Sequence, residues 1–148
     1  MDLKSIGPVM SLAVGALWAC DPAHGPVRPA PLLAGTWGGD NAGLIATDSS
    51  AHVHIGCTAG DVEGALQVGL DGRFDAAGRY NITLYPVARG PDHPARFSGQ
   101  VTGMEMTLTV TLTDTTVTLG PVQLTFGKEP RMGPCPICRN PRQALRQK

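Results

Sequence analysis

Residues 106–112, Met-Thr-Leu-Thr-Val-Thr-Leu, alternate strictly between apolar side chains and threonine. This period of two puts the apolar side chains on one face of a β-strand and the threonines on the other, whereas a helix repeats its apolar positions every three or four residues. A strand with one apolar and one polar face is typical of an antiparallel sheet that covers a core on one side. The segment therefore predicts a β domain.

The rest of residues 34–127 has the same character. The chain holds 19 glycines and 13 prolines, which disfavour helix interiors, and no helical period of useful length occurs in this part. Short apolar stretches separated by turn residues predict strands instead. We expect them at 35–39, 44–48, 51–57, 62–70, 74–85 (one long strand or two short ones), 96–101, 104–112 and 117–126, with a turn at 58–61.

Two Gly-containing pairs interrupt the strand pattern, one between strands and one within a strand. Asp71-Gly72 is a hairpin turn signal between the strands at 62–70 and 74–85. Val117 and Leu119 are out of phase with Val122 and Leu124, and Gly120-Pro121 lies between them. This change of phase predicts a β-bulge at Gly120-Pro121.

About eight short antiparallel strands suit either an up-and-down β-barrel or a two-sheet β-sandwich. The segment Gly35-Thr36-Trp37 resembles the Gly-x-Trp that opens lipocalin-like barrels, where the tryptophan closes one end. We therefore expect an all-β fold, a small antiparallel barrel, with the sandwich as the alternative. The expected core contains Trp37, Val53, Ile55, Leu66, Val68, Phe74, Ile82, Leu84, Phe97, Val101, Leu108, Val110, Leu124 and Phe126.

Residues 35–135 also resemble a group of small secreted bacterial β proteins. The resemblance is carried by Gly35-Thr36-Trp37-Gly38-Gly39, Cys57, Asp71-Gly72-Arg73-Phe74, His93-Pro94-Ala95-Arg96-Phe97-Ser98-Gly99 and Met106-Thr107-Leu108-Thr109-Val110. It implies a shared β fold and a late cysteine as the disulfide partner of Cys57. It implies no activity.

The amino terminus has the pattern of an export signal. Residues 6–19 form a short apolar segment after Lys4, too short for a membrane-spanning helix. Leu17-Trp18-Ala19-Cys20 resembles the lipobox of bacterial lipoproteins, although Trp18 departs from it. The resemblance implies a signal peptide at 1–19 and acylation of Cys20, palmitate included. The alternative is cleavage after Ala16, which would give a secreted, soluble protein.

The two ends of the mature chain differ from the β domain in composition. Residues 20–33 are rich in proline, which predicts an extended tether behind the lipidated cysteine. Residues 128–148 are basic and contain a C-x-x-C motif, and we expect them to be held by a disulfide and then disordered. The tail has no aromatic residues on which bases could stack, so we expect no nucleic-acid partner.

Cys57, Cys135 and Cys138 remain if Cys20 is acylated. Disulfides are expected in an exported protein. Cys57–Cys135 is the first expectation and Cys57–Cys138 the alternative. As minor alternatives, Cys135-Pro136-Ile137-Cys138 could act in thiol redox chemistry or as half of a zinc site, but it lies between prolines and has no second cysteine pair.

Histidines provide the other candidate sites. His52 and His54 flank Val53 on a predicted strand, so their imidazoles share a face, while the same period puts Cys57 on the opposite face. Two outward histidines are usually only solvated. We therefore expect no metal, with His52 and His54 as weak candidates. His93 and Arg96, where the longest loop meets a strand, form a possible polar contact site.

No nucleophile elbow, phosphate-binding loop or other catalytic motif is present in the sequence, so we expect neither an enzyme nor a cofactor. The sequence favours a protein of the bacterial cell envelope, membrane-anchored and facing the periplasm or the exterior. Its β-barrel would serve as a binding or accessory domain, for a small apolar ligand or an envelope protein. The alternative is a secreted structural protein without a ligand.

Overall fold

Eight antiparallel strands close into a barrel in the part of the chain that the computed structural model describes, residues 31–84 and 89–135. Each strand pairs with the next one in sequence, and the last pairs with the first. The strands are β1 (Gly35–Gly39), β2 (Ala42–Ala46), β3 (Ser50–Ile55), β4 (Thr58–Glu63), β5 (Arg73–Asn81), β6 (His93–Thr102), β7 (Glu105–Leu112) and β8 (Thr118–Phe126). The predicted up-and-down barrel is confirmed, and the sandwich is wrong.

The barrel interior is filled by side chains. Tyr80, Phe97 and Met106 each have no solvent-accessible area. A lumen wide enough for water would leave accessible area on the side chains that line it. The absence of such area on these large side chains means that the barrel core is packed, as small barrels commonly are. Most of the expected core is buried, but Leu84 and Phe126 are 46% and 40% exposed.

The fourth predicted strand was placed wrongly. Strand β4 begins at Thr58, directly after a tight turn in which Gly56 has a φ of 60°, and residues 58–61 are strand rather than turn. Gly60 looked like a turn residue. The structure requires a glycine there for a different reason, because the Tyr80 ring packs against its backbone and leaves no room for a Cβ atom.

Residues 64–72 form a connection that covers one end of the barrel instead of a strand. The Leu33 amide donates to the Leu66 carbonyl at 2.8 Å, and the Val68 amide donates to the Pro31 carbonyl at 3.0 Å. Leu33, Leu66 and Val68 are buried. Residues 31–33, expected as the end of the tether, thus pack on the barrel. Within this connection, Asp71-Gly72 does form a turn, in which the Gly72 amide donates to the carbonyl of Gly69 at 2.9 Å.

The predicted bulge in β8 is confirmed. The β7–β8 register shifts between Leu108 and Val110, which pair with Val122 and Leu119, and Gly120 has a φ of 97°. The extra residue brings the apolar side chains on both sides of the bulge toward the core.

After β8 the chain runs along the outside of the barrel. The Arg131 amide donates to the Gly39 carbonyl at 3.0 Å, and the Asn41 amide donates to the Arg131 carbonyl at 2.9 Å. Cys135 is joined to Cys57 by a disulfide. The predicted signal peptide 1–19, Cys20, most of the tether, Cys138 and the basic end of the tail lie outside the described residues. No helix in the described residues is long and apolar enough to span a membrane.

Candidate functional site

A cleft of about 340 Å³ lies on the outer wall of the barrel, across β3, β4 and β5. Its floor is built by strand register, because His54 pairs with Ala59 and Ala59 pairs with Asn81. These three side chains therefore lie side by side on the face opposite the core. A cleft of this size is at the lower end of the range seen for small-molecule sites.

The tail and the disulfide form the second wall of the cleft. Met132, Cys135 and Cys57 all line it. The sequence placed Cys57 on the face opposite His54, and this was wrong because β3 ends at Ile55 and the turn at Gly56 breaks the alternation. The expected Cys57–Cys135 disulfide is present, but the 78 positions between the two cysteines explain why no local pattern placed it beside His54.

Asn81 holds the third side of the cleft in place. Its Nδ2 group donates to the Gly90 carbonyl at 2.7 Å and to Asp92 Oδ1 at 2.8 Å, and its Oδ1 atom accepts from the Thr83 amide at 3.0 Å. Arg89 Nη2 donates to the same Asp92 oxygen at 2.9 Å. The hydrogen bond from Asn81, followed by that from Arg89, lowers the pKa of Asp92. Thr83 and Arg89 therefore flank the cleft through a network centred on a buried amide.

His52 and His54 meet next to the cleft in a defined geometry. His52 Nδ1 lies 2.5 Å from Asp61 Oδ1, and the Nε2 atoms of the two histidines are 2.9 Å apart. An ionised carboxylate only accepts hydrogen bonds, so His52 donates to it from Nδ1. In the neutral tautomer of His52 that has its proton on Nδ1, the Nε2 atom carries the lone pair and accepts a hydrogen bond from His54 Nε2. The register explains the first contact, since His52 pairs directly with Asp61.

The electrostatic environment of His54 favours its neutral form. Partial burial lowers its pKa, and the neighbouring His52 lowers it further, while Asp61 acts in the opposite direction. Near neutral pH, His54 is therefore an uncharged imidazole with one nitrogen lone pair. No three His, Cys, Asp or Glu side chains converge on a metal-binding geometry among residues 31–84 and 89–135. The histidine pair accordingly offers two ligands, not a complete protein cage.

His93 and Arg96 do not share a site. His93 pairs with the inward-facing Tyr80 at one end of the barrel, and its Nδ1 atom lies 2.9 Å from Asp114 Oδ2. Arg96 points outward and binds Asp75 through two contacts, at 2.9 Å from Nε and 2.7 Å from Nη2. Each is held by its own carboxylate on a different face of the strand.

Cys135 Sγ is bonded to Cys57, so in this oxidised form Cys135 offers neither a thiolate ligand for zinc nor a nucleophile for thiol exchange. Sequence reasoning missed Asp61, Asn81 and Met132 as parts of the site. Only the strand register and the path of the tail bring them to it. No protein-family model matches the chain, and no curated protein or solved structure is significantly similar to it.

Proposed function

We propose that this chain is a lipid-anchored accessory protein of the bacterial envelope that binds a small, largely apolar ligand in its outer-wall cleft. The observation that carries the binding role is the cleft itself. It combines apolar surface from Met132 and the disulfide with polar groups from His54 and Arg89. An apolar pocket with a few polar groups is the common form of a small-molecule site.

The packed barrel core favours a ligand site on the outer wall over one in the lumen. Lipocalin-like barrels suggest a ligand in the lumen, but the side chains that line this lumen have little or no accessible area. Ligand entry there would require repacking of a dense core, which is costly. The cleft needs no such rearrangement.

Two features support the envelope location. The segment Leu17-Trp18-Ala19-Cys20 resembles a lipobox. The Cys57–Cys135 disulfide suits an oxidising compartment outside the cytoplasm. Acylation of Cys20 with more than one chain would give firm anchoring, since a single acyl chain gives only marginal membrane binding.

A structural accessory role without a ligand is the second candidate, and the packed core favours it. In that case the outer wall contacts another envelope protein, and the cleft is a by-product of the way the tail crosses the barrel. Ligand binding at the cleft separates the two candidates.

Anchoring is tested by expression in a bacterial host with an alkyne-tagged palmitate, followed by detergent phase partitioning. We expect the wild-type protein to be labelled and to enter the detergent phase. Cys20→Ala should be unlabelled and aqueous, whereas Cys138→Ala, the matched cysteine control, should behave like the wild type. An unlabelled wild type would contradict the anchor.

The cleft is tested with the anionic apolar dye 1-anilinonaphthalene-8-sulfonate. Ala59→Leu fills the cleft floor and should abolish saturable dye fluorescence. Thr109→Leu adds the same side chain to the outer face of β7, away from the cleft, and should leave the fluorescence unchanged. Equal binding by both variants would reject the cleft as the site and favour the structural role.

A further inference from the structure

We infer that His52 and His54 chelate a divalent transition-metal ion, Cu(II) in the first place, on the outer wall of the barrel. Their Nε2 atoms face each other at 2.9 Å. Imidazole nitrogens are ligands that suit copper, nickel and zinc. The inference stands independently of the proposed ligand in the cleft.

The 2.9 Å between the Nε2 atoms is the length of the hydrogen bond in the metal-free pair. It shows that both nitrogens lie within reach of one ion, whose bonds to imidazole are about 2.0–2.1 Å long. Affinity then decides among the metals, because Cu(II) binds a given nitrogen site more tightly than Ni(II) or Zn(II).

Asp61 accepts a hydrogen bond from the ring nitrogen of His52 that would not bind the metal, as carboxylates commonly do for histidine ligands. Its Oδ1 atom accepts a hydrogen bond from His52 Nδ1 at 2.5 Å, which orients the ring with Nε2 directed away from the carboxylate and toward His54. A carboxylate on the far nitrogen of a ligating histidine also makes that histidine more basic. Because His52 and Asp61 are paired across β3 and β4, the backbone of two strands fixes this arrangement.

Metal binding requires a change of tautomer at His54. With both histidines neutral and His52 protonated on Nδ1, His54 donates its Nε2 proton to His52. On binding, that proton passes to water and Nδ1 of His54 takes a proton from water, so that both Nε2 lone pairs bind the ion in place of two of its water ligands. His54 stays neutral throughout, and the remaining coordination positions keep water.

The test is calorimetric titration of the full chain with CuCl₂, after alkylation of its free thiols, together with electron paramagnetic resonance of the bound copper. We expect one Cu(II) per chain with the spectrum of two nitrogen ligands. His52→Gln and His54→Gln should each abolish this binding. Asp61→Asn should weaken it by about 10- to 100-fold while keeping the two-nitrogen spectrum.

His93→Gln is the matched control, because His93 also contacts a carboxylate but lies at one end of the barrel. His24→Gln removes the other histidine of the chain. Both variants should bind copper as the wild type does. Absence of binding by the wild type, binding that survives His52→Gln and His54→Gln, or binding lost in either control would overturn the inference. Circular dichroism of each variant checks that the barrel is intact.

Discussion

The rings of Trp37 and Phe126 meet edge to face, with centroids 5.0 Å apart, at the point where the first and last strands of the barrel pair. The two residues are register partners, and Trp37 is buried while Phe126 is 40% exposed. The contact therefore lies over the junction that turns a sheet of eight strands into a closed barrel.

Phe126→Ala should destabilise the protein by about 2 kcal/mol, because it removes the aromatic contact and uncovers Trp37. The cost stays below that of a fully buried phenylalanine, since part of the ring is already in water. Phe126→Leu keeps apolar cover and should cost about half as much. Urea unfolding followed by circular dichroism measures both. Equal losses in the two variants would contradict this division, because they would show that apolar cover without the aromatic ring contributes nothing.

Replacement of Cys57 and Cys135 by serine should lower the free energy of unfolding by about 4 kcal/mol. The disulfide closes a loop over a sequence separation of 78 residues, and opening that loop gives the unfolded chain more conformational freedom. Guanidinium unfolding of the double variant measures the loss. Cys138→Ser is the control and should leave stability unchanged. A control that loses as much stability as the double variant would point instead to pairing of Cys57 with Cys138.

Gly120→Ala should destabilise the protein by about 2–3 kcal/mol. Its φ of 97° is unfavourable for any other residue, and a Cβ atom would lie 2.7 Å from the carbonyl oxygen of Leu108. Gly64 has a φ of 115° but nothing near its missing Cβ atom. Gly64→Ala thus measures only the cost of a positive φ in a residue with a side chain. Thermal unfolding should show a smaller loss of stability for Gly64→Ala than for Gly120→Ala. A larger loss for Gly64→Ala would contradict the close packing of the bulge.

The sequence predicted these strands well where one face is buried and the other is solvated. In β7, Met106 and Leu108 point inward and Thr107 points outward, as the alternation indicates. Such a pattern can be read from consecutive residues alone, because one face of the strand is buried in the barrel and the other is in water. The bulge was predictable for the same reason, because a change of phase is visible locally.

The candidate site was less predictable, because its parts come from different strands and from the tail. The sequence placed a turn at 58–61, which hid the pairing of Asp61 with His52. An error of this kind changes every partner in a hairpin, since register decides which side chains meet. The contact between Cys135 and the cleft depends on the closed barrel and has no local signal.

Tyr80→Phe should cost about 1 kcal/mol near neutral pH. Thr58 Oγ1 donates to the Ile55 carbonyl at 2.7 Å, so the Tyr80 hydroxyl donates to Thr58 across 2.9 Å. The variant removes this buried hydrogen bond but leaves Thr58 with its other partner. Urea unfolding at pH 8 measures the loss.

The same residue predicts an alkaline pH dependence. Burial raises the pKa of Tyr80 above its usual value of 10.0. At a pH between the ordinary pKa of tyrosine in the unfolded chain and the raised pKa in the folded protein, the unfolded chain has released the proton and the folded protein keeps it. The free energy of unfolding therefore falls as the pH rises above about 10. The Phe variant lacks this contribution. The stability difference between wild type and variant should therefore be constant below that pH and shrink above it, and a constant difference at pH 11 would contradict the burial of Tyr80.

Leu66→Ala should destabilise the protein by about 2–5 kcal/mol, although Leu66 lies in a connection and not in a strand. Its side chain is 1% exposed, whereas that of Leu70, four positions later, is 92% exposed. In the predicted strand 62–70, Leu66 and Leu70 would share one face and become equally buried. Only a connection that covers the barrel end buries one and exposes the other. Leu70→Ala should consequently change stability by less than about 0.5 kcal/mol.

Hydrogen exchange adds an independent measurement, because the amides of Leu33 and Val68 are hydrogen-bonded between residues 31–33 and the connection 64–72 and should be protected together. Equal costs for the two alanine variants would restore the strand and remove the cover from the fold.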